Sequence, residues 1–81
     1  MDDYDKMFDN MIEGFKSGRF NAKDWNFCID INLANKKDVY DGYIMGTGAE
    51  QCAGCKSFST REELVDLFTK VGARFIMNGV G

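Results

Sequence analysis

The sequence predicts an α+β fold in the order αββαβ: a three-stranded, mainly antiparallel sheet of order 2-1-3 with two helices packed on one face. Three patterns predict it. Tyr4, Met7, Phe8, Met11, Ile12 and Phe15 recur at spacings of three and four, the period of an amphipathic helix. Trp25, Phe27, Ile29, Ile31 and Leu33 alternate with Asn26, Cys28, Asp30 and Asn32, the period of a half-buried strand. Thr60 followed by Glu63 has the spacing of a capping box, ahead of an apolar stripe at Leu64, Leu67, Phe68 and Val71.

Taken in order, the first helix has Asp2 or Asp3 as its cap and Gly18 as its stop. The strand over residues 25–33 is expected at the sheet centre, because its apolar face is unbroken. Residues 34–37 are polar and turn-like. A second strand is expected over 39–45, with its alternation broken at Asp41-Gly42 by a bulge or bend. Either Tyr40 or Tyr43 then faces the core. Residues 46–56 read as a glycine-containing loop, with 56–58 at most a brief further strand. Gly72 ends the second helix. Residues 73–77 form a last edge strand, antiparallel to the first, and 78–81 a frayed tail. No linker, repeat or low-complexity stretch divides the chain, so residues 1–81 are expected to be one domain.

Composition narrows the chemistry. The 81 residues contain no histidine, which removes Ser-His-Asp and Cys-His nucleophile pairs, histidine-ligated metals and a near-neutral imidazole switch. A net charge of −3 disfavours binding to a nucleic-acid backbone. Trp25, Phe27, Tyr40 and Tyr43 resemble a base-stacking set, but the first two belong to the apolar face that the helices must cover. Gly46-Thr47-Gly48 lacks the rest of a phosphate-binding loop. The expectation is a protein that is not an enzyme. Its opening is acidic where a secretory leader is basic, its apolar runs are too short to span a bilayer, and three cysteines suit a reducing compartment. A cytoplasmic location is expected, with no membrane partner.

Two features remain. The first is charge: residues 1–13 hold five acids against Lys6, a net −4, while the other residues are close to neutral. Asp2, Asp5, Asp9 and Glu13 fall on one helical face. Like charges at this spacing cost a helix roughly 0.2–0.5 kcal/mol per pair, so the stripe suggests a basic partner surface. Asp2, Asp5, Asp9 and Glu13, with Tyr40 and Tyr43, are the expected partner-binding residues. Small acidic proteins of this kind are common in phages and mobile elements, where many occupy a basic surface of a host machine, nucleic-acid-targeting complexes included. The second feature is Cys52-Ala53-Gly54-Cys55, a spacing that suits zinc or a redox pair. No cofactor is expected on the leading reading. On the alternative one, Cys28, Cys52 and Cys55 ligate zinc with Asp30 or water, or two chains share a four-thiolate site.

Overall fold

A computed structural model describes residues 3–31, 40–49, 51–73 and 75–78. Helix α1 spans Asp3–Lys16, followed by a single 3-10 turn at Ala22–Asp24. Strands β1 (Trp25–Ile31), β2 (Tyr40–Gly46) and β3 (Cys52–Phe58) lead to α2 (Arg61–Lys70) and β4 (Phe75–Asn78). The α+β class holds, but the order of elements does not. The sheet has four strands in the order β3-β2-β1-β4, in place of a three-stranded 2-1-3 sheet. Strands β1, β2 and β3 are successively antiparallel, and β4 runs parallel to β1.

Both corrections have one origin, the stretch expected as a loop. Cys-Ala-Gly-Cys-Lys-Ser-Phe contains a single strong strand former, Phe58, so its pattern does not announce a strand. It nevertheless pairs along β2. One added strand reverses the chain once more, so α2 delivers β4 parallel to β1 where an antiparallel strand was expected.

Helix α1 buries Phe8, Ile12 and Phe15, while Tyr4 and Met7 stay 42% and 40% exposed, a departure from the continuous apolar face expected. Gly18, at φ 81°, turns the chain beyond the helix and donates its N–H to Phe15 O at 3.3 Å. Thr60 caps α2 as expected, its Oγ1 accepting from the Glu63 N–H at 3.3 Å. Gly72, at φ 75°, follows its last turn.

The core joins both helices to one sheet face. The Phe27 ring lies 5.2 Å from that of Phe15 on α1 and 5.0 Å from that of Phe68 on α2. Ile29, Ile44 and Leu64 complete the fully buried set. The break at Asp41-Gly42 is no bulge, because β1 and β2 pair without a shift through it. Gly42 occupies a core-facing position, where a methyl group would come within 2.7 Å of Leu64 Cδ1. The irregularity lies instead between Ile44 and Met45, opposite Ala53. Asp2 and residues 32–39 and 79–81, which include the expected turn, lie outside the described residues.

Candidate functional site

Strand β3 positions the first candidate surface. Its Gly54 faces α1 so closely that a methyl group would overlap the Phe8 backbone. Two residues on, Lys56 takes a position on the same, helix-facing side of this edge strand. An inward-pointing lysine is one of the devices that keep an edge strand from pairing with other chains. Its long stem carries the ammonium out along the flank of α1. There Nζ donates to Asp9 at 2.9 and 3.2 Å and lies 3.5 Å from Asp5 Oδ1. The hydrogen bond to Asp9 raises the lysine pKa, with partial burial acting against it.

The acidic stripe is therefore not wholly outward. Asp5 and Asp9 share Lys56, while Asp3 and Glu13 are exposed and have no ion-pair partner among the described residues. All three groups of the Lys56 cluster are substantially exposed, so each pair contributes at most about 1 kcal/mol.

The second surface is the sheet face that no described helix covers. Strand register arranges it as three rows across β1, β2 and β3: Asp30, Asp41 and Ser57; Cys28, Tyr43 and Cys55; Asn26, Met45 and Cys52. None of these nine residues is fully buried. Tyr43 and Tyr40 thus part company, since Tyr40 packs against the core under the helices. Tyr40 is half-buried against the core, and Tyr43 is half-buried on the open face. The Tyr43 hydroxyl donates to Asp41 Oδ2 at 3.4 Å, and Ser57 Oγ donates to the other oxygen of that carboxylate.

The bulge has a consequence for the cysteines. In a regular strand, residues three apart point to opposite faces. Ala53 is the extra residue on β3, so Cys52 and Cys55 both take open-face positions. Cys28 does not join them. It stands two strands from Cys55 with Tyr43 between, a backbone separation of about 9–10 Å at ordinary strand spacing, whereas thiolates on one zinc lie roughly 4 Å apart. Among the described residues no group of three or more Cys, Asp or Glu converges to hold a metal ion. The register thus interposes Tyr43 between Cys28 and Cys55. Burial, reinforced by Asp30, raises the Cys28 thiol pKa, which keeps it protonated and slow to react at neutral pH.

A groove of about 480 Å³ is lined by Ala22, Lys23, Trp25, Asn26 and Gly72. Among the described residues of that lining, Lys23 is the titratable one. Among the described residues, no helix is long and apolar enough to cross a membrane. No protein-family model, curated protein sequence or solved structure matches the chain.

Sequence reasoning placed the acids on α1 but missed Lys56 as their partner. It also missed the open face as a unit, because that face is assembled by the unforeseen strand. One signal was present. Lys56 is the one cation between Tyr40 and Thr60.

Proposed function

We propose that the protein is a non-enzymatic, cytoplasmic binding module that docks α1 on a basic surface of a partner protein. The observation that carries this reading is the composition of α1's outer side. Tyr4 and Met7, the exposed large apolar side chains among the described residues, sit on the same helix as Asp3, Asp5, Asp9 and Glu13. By helical spacing Tyr4 and Met7 lie on one flank of the helix and Asp5, Asp9 and Glu13 on the other, so a partner meets an apolar edge for adhesion and an acidic edge for electrostatic steering. Its size and acidity suit an accessory protein of a phage or mobile element that inhibits a host nucleic-acid-targeting machine by covering its basic surface.

The test begins with affinity capture from the source cells and follows the captured partner with two opposed variants. Asp9→Asn with Glu13→Gln removes attraction, and association slows at least several-fold with a shallower salt dependence. Lys56→Gln releases Asp5 and Asp9 from their internal cation, so association quickens. If both variants capture the partner at the wild-type rate and salt dependence, docking by α1 is wrong.

A further inference from the structure

The open sheet face is a surface without a cover among the described residues, and its charge decides what suits it. Asp30 and Asp41 are direct cross-strand neighbours. Like charges placed directly opposite each other are destabilising. Asp41 receives hydroxyl donors from Tyr43 and Ser57, but Asp30 has no hydrogen-bond or ion-pair partner among the described residues. No lysine or arginine occurs in β1 or β2, and Lys56 of β3 turns to the helix side. Beside the acids lie Tyr43, Met45 and the thiols, an apolar floor that is only half covered.

We propose that this face binds an arginine-bearing extended segment of a partner protein. The guanidinium lies between Asp30 and Asp41, and its stem and plane rest against the Tyr43 ring. Charge complementarity excludes the competing occupants. A second copy placed isologously would gather four carboxylates into one small contact, and a nucleic acid would bring phosphates. The three rows run roughly 13 Å along the strands, the length of about four residues of an extended segment. Arginine fits better than lysine, since its planar fork bonds two carboxylates at once and stacks on an aromatic ring. The surface lies across the sheet from α1 and is independent of docking by that helix.

The experiment is an NMR titration of the whole chain with a synthetic peptide of alternating arginine and serine, run beside its lysine and citrulline counterparts. Expected shifts gather in residues 26–30, 41–45 and 52–57. The lysine peptide binds several-fold more weakly, and the citrulline peptide not at all. Asp30→Asn, which relieves repulsion and keeps the fold, lowers affinity at least tenfold, and Tyr43→Leu lowers it several-fold. Glu62→Gln, an exposed acid on α2 outside both surfaces, leaves it unchanged. Shifts confined to residues 3–16, equal binding of the citrulline peptide, or wild-type affinity in Asp30→Asn would each overturn the proposal. So would self-association through the same residues without peptide.

Discussion

Tyr43 stands at the centre of the open face, with Cys28 and Cys55 on either side and Asp41 holding its hydroxyl. Its phenol pKa is pushed up to about 12, first by burial and then by the negative charges of Asp41, Cys55 and Asp30. An unfolded chain releases that proton near pH 10, so the folded state keeps it longer. The stability linked to Tyr43 is therefore complete below about pH 10 and falls as the pH climbs towards 12. Lys56, also raised, acts in the same direction once its unfolded counterpart begins to lose its proton. Alkaline difference spectroscopy should show a late phenolate phase that Tyr43→Phe abolishes and Asp41→Asn moves to lower pH. Absence of any late phase would contradict this environment. The sequence left Tyr40 and Tyr43 undecided for a physical reason. Gly42 sits at a core-facing position where the alternation calls for an apolar residue, and Leu64 and Phe68 fill the space from the helix side.

At the scale of elements, β3 is where sequence and structure diverge. Helix α1 and strand β1 were legible because large side chains mark their buried faces. In β3 the burial is done by absence, since the missing Cβ of Gly54 admits the α1 backbone. A glycine needed for close approach and one needed for a loop look the same in a sequence. Gly54→Ala should therefore lift α1 off the sheet and destabilise the fold by about 1–3 kcal/mol. Ala53→Ser, beside it at the bulge, should change stability by less than about 0.5 kcal/mol. Chemical denaturation of the two variants measures the contrast, and equal stabilities would deny the close contact. The acidic stripe was legible because helical spacing is read directly from residue numbers. Its pairing with Lys56 was not, since that pairing depends on a strand the pattern concealed.

At the scale of the molecule, Phe27 joins the two helices, touching Phe15 on one and Phe68 on the other. The two candidate surfaces lie on opposite sides of the sheet that it anchors, so the module has room for two contacts at once. The packing of α1 on β3 also bears on the order of assembly. Asp9 and Lys56 are 47 residues apart in the chain, and the Phe8 backbone meets Gly54 across a similar distance. Helix α1 is made first, yet its seat is the third strand, which must wait for the hairpin that precedes it. Long-range contacts of this sort close late, because the chain gives up loop entropy before they reward it. In stopped-flow experiments Phe8→Leu should mainly quicken unfolding, whereas Ile29→Val, within the hairpin, should slow folding. A folding rate that drops more for Phe8→Leu than for Ile29→Val would reverse that order. Until β3 forms, the apolar side of α1 stands open to other chains, so a nascent molecule is most exposed to misassembly at the helix proposed for its recognition.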